Sequence, residues 1–236
     1  SVPLLIPCKA CKKEVSKSGE TCANCSHPIA DSVEAYLKEA VEGEPFAIAD
    51  LSMEMLWVKP GTFEMGSPSS EKDRDDDETP HSVTLTEGYW LGKREVTQSQ
   101  WERVMGSNPS EFKGADRPVE KVSWTEVTSF CAKLTASERR AGRLPAGQAY
   151  QLPTEAQWEY ACRAGTKTAY AFGAGLTTSQ ANISGGPGAT TDVGKYPANG
   201  WGFHDMHGNV YEWCADRYGD YPRGAVRDPV GPAVGS

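Results

Sequence analysis

Gly202-Phe-His-Asp-Met-His-Gly-Asn-Val-Tyr-Glu-Trp213 is the stretch on which the reading of this chain turns. Asp205 and Glu212 bracket Gly208-Asn209-Val210. A glycine at 208 lets the backbone turn sharply. The carbonyl groups of Gly208 and Val210 can then face the same point as the two carboxylates. Hard oxygen donors of this kind suit calcium. The same residues also read as a plain glycine turn with Glu212 in a salt bridge. Aromatic residues crowd the neighbourhood. Trp201, Tyr211, Trp213 and Tyr218 either fill the core or offer contact area to a partner.

Upstream of this stretch the chain is more regular. Met55–Val58 and Thr62–Met65 read as two strands around the turn Lys59-Pro-Gly-Thr62, with further strands at Ser82–Leu85 and Tyr89–Leu91. Three helix starts carry the same signature, a hydroxyl residue followed three positions on by Gln or Glu. They are Thr97 with Gln100, Ser123 with Glu126, and Thr154 with Gln157. The third helix runs from Glu155 to Ala164 and stops at Gly165. From Gly165 onward periodicity is lost and the chain becomes Gly-rich. A loop region that long calls for a function or a metal to hold it. The fold class expected is α+β and loop-rich.

The beginning of the chain is different in kind. Cys8, Cys11, Cys22 and Cys25 form two Cys-x-x-Cys knuckles in a polar stretch. Two such turns aim four thiolates at one point, the donor set of a structural zinc ion. Residues 1–30 are therefore expected to be a small zinc ribbon. His27 reads as a surface histidine or a substitute ligand. Residues 31–50 read as a helical linker, with Val33, Leu37 and Val41 on one face. Residues 51–236 form the main domain.

The 236 residues carry 24 Lys and Arg against 32 Asp and Glu, a net charge of −8. Such a balance disfavours phosphate backbones as partners, so a protein or peptide ligand is expected rather than nucleic acid. The lysines at 9, 12, 13 and 17 compensate the thiolate cluster. No stretch reaches the roughly twenty apolar residues needed to span a bilayer. Ser1–Pro7 is too short for a signal peptide and lacks a basic start. Cys131, Cys162 and Cys214 remain after the zinc set, an odd number that fits reduced thiols and a cytoplasmic setting.

Leu152-Pro-Thr-Glu-Ala-Gln-Trp-Glu-Tyr-Ala-Cys-Arg-Ala-Gly165, followed by the 202–213 stretch, resembles the formylglycine-generating enzyme (sulfatase-modifying factor) family. Val58-Lys-Pro-Gly-Thr-Phe-Glu-Met-Gly-Ser67, Glu95-Val-Thr97, Arg117-Pro-Val119 and Val122-Ser-Trp124 lie in the family's order. The resemblance covers about residues 53–236 and leaves residues 1–50 aside. It implies a C-type lectin-like fold. It also implies calcium at Asp205, Gly208, Val210 and Glu212, and a second calcium site that begins at Asn182-Ile183. No Asp follows that pair at the family's spacing.

The family's enzymes oxidise a sulfatase cysteine with copper held by two cysteines in a C-terminal stretch. The present sequence stops where that stretch would begin, so it reads as a fragment, with copper expected only if a further segment supplies the pair. The leading expectation is a non-catalytic ligand- or protein-binding module. Some relatives of this type are variable proteins of diversity-generating retroelements. The zinc ribbon would then be an adaptor that brings the module into a larger assembly. The alternatives are the copper oxidase itself and a regulatory or target element of a bacterial signalling or defence assembly.

Overall fold

Alternating burial along short strands sets the frame of the molecule. The computed structural model describes residues 5–7, 10–11, 13–16, 20–29, 41–71, 74 and 77–232. The chain divides into two compact units, one made of Ser1–Ala40 with Thr135–Ala149, the other of Val41–Leu134 with Tyr150–Ser236.

In the first unit, β1 (Leu5–Pro7) and β2 (Glu14–Ser16) pair antiparallel, with Ile6 opposite Val15. A tight turn follows at Cys22–Ser26, closed by Ser26 N–H donating to the Cys22 carbonyl at 2.8 Å. The segment 135–149 carries a buried ion pair between Glu138 and Arg143. Of the expected helical linker over 31–50, residues 31–40 lie outside the described residues, as does Cys8. Residues 41–50 hold no α-helix: Phe46–Ile48 is a strand and Ala49–Leu51 a single 3-10 turn, because residues 46–48 pair with residues 53–55 in the sheet of the larger unit.

The larger unit runs β3 (Phe46–Ile48), β4 (Met53–Val58), β5 (Gly61–Met65), β6 (His81–Leu85), β7 (Tyr89–Gly92), α1 (Gln98–Met105), α2 (Trp124–Arg140, of which the part from Thr135 belongs to the first unit), α3 (Glu155–Arg163) and β8 (Val226–Arg227). One antiparallel sheet has the order β3-β4-β7, and the other has β5-β6-β8 with β8 parallel to β6. On β6, His81, Val83 and Leu85 are buried while the residues between them are not, the two-residue period of a half-buried strand. The strands expected from sequence all form. β3 and β8, at three and two residues, were too short to announce themselves.

All three capping signatures are realised. Thr97 and Thr154 each accept from the backbone N–H three residues on, and Gln100 and Gln157 bond back to them. Ser123 and Glu126 exchange the equivalent bonds. Each box satisfies two helix N–H groups that would otherwise lack partners.

These elements enclose three apolar clusters. Ile48, Leu51, Met53 and Met55 pack on Trp101 of α1 and on Phe130 and Leu134 of α2, where Trp101 and Phe130 stack at 5.2 Å. Met65, Val83 and Leu85 pack on Ala156 of α3. The cluster that matters for function joins Val58 and α3 residues Ala161 and Cys162 to Phe203 and Met206. Those last two belong to the irregular stretch and anchor it from beneath.

Candidate functional site: a carboxylate-rich loop

Side-chain to backbone hydrogen bonds replace secondary structure beyond α3. Asn199 donates its amide to the carbonyls of Ala161 and Cys162 at 2.8 and 3.2 Å, and its own oxygen accepts from Trp201 and Phe203 N–H. His204 N–H donates to the Lys93 carbonyl at 3.0 Å, which ties the loop to the end of β7. Buried Phe203, 1% exposed, and Met206 then fix the register of the residues between and after them.

Four residues of the loop take positive φ angles: Gly202 (φ 91°), Asp205 (φ 57°), Gly208 (φ 81°) and Asn209 (φ 61°). At Gly208 the requirement for glycine is double. An added Cβ would lie 2.3 Å from the Asn182 carbonyl oxygen. The close approach exists because Asn209 N–H donates to that same oxygen at 2.9 Å.

Asp205 and Glu212, two of the sequence-derived cation residues, act on the charge of a buried acid that sequence reasoning missed, Glu95. Among the described residues these three carboxylates are not a cluster with oxygens within 4.8 Å of one another. Asp205 is buried, one oxygen accepts from Gly194 N–H, and the other has no partner. Glu95 is also buried, with Oε2 accepting from Asn209 Nδ2 at 2.8 Å and Oε1 without a partner. Burial pushes the Glu95 carboxyl up to about 9, with the Glu212 and Asp205 charges adding to the rise. Glu212 keeps more than a third of its surface exposed. Close packing around its carboxyl nevertheless raises it to about 7; the Trp158 indole opposes that rise and Asp205 reinforces it. Asp205 is raised by burial as well. Three acids that disfavour one another's charge, two of them with a partnerless buried oxygen, fit a bound cation chemically. Glu95 belongs to the Glu-Val-Thr motif, so its place in a motif was the available signal. Its neighbours were not.

Asn182 and Ile183 lie alongside. Asn182 Nδ2 donates to the Ala189 carbonyl and to Asn209 Oδ1, and the Ile183 carbonyl accepts from Gly186 N–H at 2.9 Å. Asn209 thus joins this segment, Thr191 and Glu95 through one side chain.

The four aromatics singled out from sequence are all exposed: Trp201 at 36%, Trp213 at 48%, Tyr218 at 66%, and Tyr211 fully. Trp201 also meets Tyr160 edge-on at 4.9 Å, and the Tyr218 hydroxyl bonds to Asp77. Tyr211 and Trp213 flank Glu212, whose carboxyl feels the charge of Asp205 and acts in turn on Glu95. Trp124, which sequence reading did not select, is 43% exposed. Its indole donates to the Cys214 carbonyl, while the Trp213 indole donates to Val122.

The remaining thiols of the larger unit are chemically quiet. Burial pushes Cys162 and Cys214 up to about 12 and raises Cys131. Cys162 lies 3.9 and 3.8 Å from the two ring nitrogens of His207. Near-equal distances to both nitrogens mean that the sulfur is not aligned with either lone pair, unlike a nucleophile–base pair. Separately, in the first unit, the sulfurs of Cys11, Cys22 and Cys25 lie within 4.8 Å of one another and can hold a metal ion. Asn24 N–H points at Cys22 Sγ at 3.4 Å, supporting a thiolate there.

Residues 44–232 match the sulfatase-modifying factor enzyme 1-like domain. The chain belongs to this family. A chaperone protein LppX of Paenibacillus barcinonensis is 32% identical over 209 residues, 70% of this chain and 71% of that protein. A formylglycine-generating enzyme of Streptomyces coelicolor is 32% identical over 165 residues, 63% of this chain and 47% of the enzyme. The structure of Treponema denticola variable protein 1 superposes with a TM-score of 0.68 at 28% identity, covering 82% of this chain and 84% of that one. The sulfatase-modifying factor domain found here is thus α+β and loop-rich, as its motifs implied.

Proposed function

We propose that this sulfatase-modifying factor domain is a non-catalytic module that binds a protein or peptide ligand on a loop surface stiffened by calcium. The observation that carries the reading is the arrangement around Glu212: its carboxyl lies close enough to Asp205 and Glu95 for their charges to act on one another, while Tyr211 and Trp213 on either side are exposed. A cation held by Asp205, Glu212 and the carbonyls of Gly208 and Val210 would stiffen the segment that displays them. Asn182 and Ile183 are the start of a second, smaller cation site. The Treponema variable protein likeness supports a display role of the kind used in diversity-generating retroelements. Zinc on Cys8, Cys11, Cys22 and Cys25 makes residues 1–30 an adaptor ahead of the main domain, in a reducing cytoplasmic setting.

The test compares the full chain with a Tyr211→Ala, Trp213→Ala double variant in partner capture followed by mass spectrometry. Loss of a reproducible partner is expected in a variant that stays folded by circular dichroism, its melting temperature lowered only as far as loss of the Trp213–Val122 bond requires. Calcium chelation should lower the melting temperature, because a ligand bound only by the folded state stabilises it.

The family match favours a second reading, a copper-dependent oxidase that converts a sulfatase cysteine to formylglycine. Copper(I) needs a pair of soft thiolates. Cys131, Cys162 and Cys214 are raised thiols that do not supply one, so this reading requires cysteines from a further segment. Copper-dependent turnover of a sulfatase peptide by these 236 residues would replace the binding reading.

A further inference from the structure

Glu95 comes from the short link between β7 and α1, yet its carboxylate lies in the loop more than a hundred residues later. Its Oε2 accepts from Asn209 Nδ2 at 2.8 Å. It therefore grips the residue that follows Gly208. Asn209 needs such a grip, because its φ of 61° is a conformation that side chains other than glycine adopt at a cost. The rest of the Asn209 side chain is fully engaged with Asn182 and Thr191.

The charge on Glu95 is harder to explain structurally. The residue is 8% exposed and Oε1 has no partner. The two preceding cations, Lys93 and Arg94, are both engaged by Glu54, at 2.7 and 2.9 Å. Glutamine would hold Asn209 equally well without placing a buried acid beside Asp205 and Glu212. A carboxylate in this position is useful if the centre receives a positive ion.

We propose that Glu95 is a positioning and charge-supplying residue of the cation centre formed by Asp205, Gly208, Val210 and Glu212. It holds the 208–210 turn in the shape that presents its carbonyls, and its negative charge raises affinity for a divalent or trivalent cation. The proposal rests on the cation-centre reading given above. It adds a residue that no spacing within the 202–213 stretch contains.

The probe is terbium(III), with luminescence sensitised by tryptophan excitation; Trp158 beside Glu212 is the antenna. The full chain is titrated with terbium and then competed with calcium. Glu95→Gln should weaken terbium and calcium binding by about 10- to 100-fold, the usual effect of removing a group that supports metal ligands. In chelator the same variant should melt at the wild-type temperature or above it, since a buried unpaired acid has been removed. A merely structural residue would instead lower the melting temperature in chelator and leave the affinity of the folded fraction alone. Wild-type affinity in a folded Glu95→Gln protein would overturn the role of Glu95 while leaving the centre standing. Absence of terbium binding by the wild-type chain would remove the centre itself, and the proposal with it. Should Glu95→Gln fail to fold, Glu95→Asp decides: it keeps the charge but shortens the reach, and unchanged affinity there would overturn the positioning role.

Discussion

The indole N–H of Trp213 donates to the carbonyl oxygen of Val122 at 2.9 Å, although about ninety residues separate them. Trp124 reciprocates with the Cys214 carbonyl at 3.0 Å. The two bonds stitch the entrance of α2 to the end of the irregular stretch and orient both rings. Trp213→Phe keeps most of the ring and loses the donor. It should cost about 0.5–1.5 kcal/mol, the net worth of one hydrogen bond. Urea unfolding followed by far-UV circular dichroism measures this as a shift of midpoint at constant slope. An unchanged midpoint would mean that the clamp adds nothing.

Gly208 and Gly106 provide a paired test of close approach. Both have φ near +85°, but a Cβ at 208 would meet the Asn182 carbonyl at 2.3 Å while one at 106 meets nothing within 4 Å. Gly106→Ala should cost only the left-handed strain, about 1–2 kcal/mol. Gly208→Ala should cost more, about 3 kcal/mol or above, because the backbone must also move. Equal losses for the two variants would show that the loop yields freely.

The stack between Trp101 and Phe130 holds α1 against α2, with both rings nearly fully buried. Phe130→Ala should destabilise by about 3–5 kcal/mol, the range for deleting a buried aromatic ring. Calorimetry would register this as a large fall in melting temperature. A small fall would mean that the cavity collapses.

Stability of the metal-free protein should fall as pH rises from about 5 to about 9. Glu95 and Glu212, raised from 4.5 to about 9 and about 7, keep protons in the folded chain that the unfolded chain has released. The folded state binds more protons throughout that window. Its advantage is full below the unfolded value and is lost as pH passes through the folded ones. Saturating calcium should flatten the decline by replacing the protons. Melting temperatures in chelator across this range decide the matter; a rise with pH would contradict the upward shift of these two carboxyls.

Elemental analysis should find one zinc per chain, lost when Cys8→Ser and Cys11→Ser are combined, because two of four thiolates cannot hold a structural ion. Retention of zinc by the double variant would place the metal elsewhere.

Local chemistry was legible in the sequence wherever cause and effect lie within a few residues. The capping boxes at Thr97, Ser123 and Thr154 each need only a side chain and the N–H three positions on, and each forms. The alternation of β6 and the turn at Gly208 were readable for the same reason. Family motifs carried the fold beyond that range.

Tertiary structure alone decided which distant groups meet. Parallel pairing of Val83 with Val226, the Trp124 and Trp213 clamps, and the grip of Glu95 on Asn209 have no periodic signature, because each joins segments separated by ninety residues or more. Exposure was likewise undecidable from composition. Trp213 and Phe203 are both large aromatics in one stretch, yet one is 48% exposed and the other 1%. What separates them is which side of an aperiodic chain faces Ala161 and Cys162, and an aperiodic chain carries no pattern from which to read it.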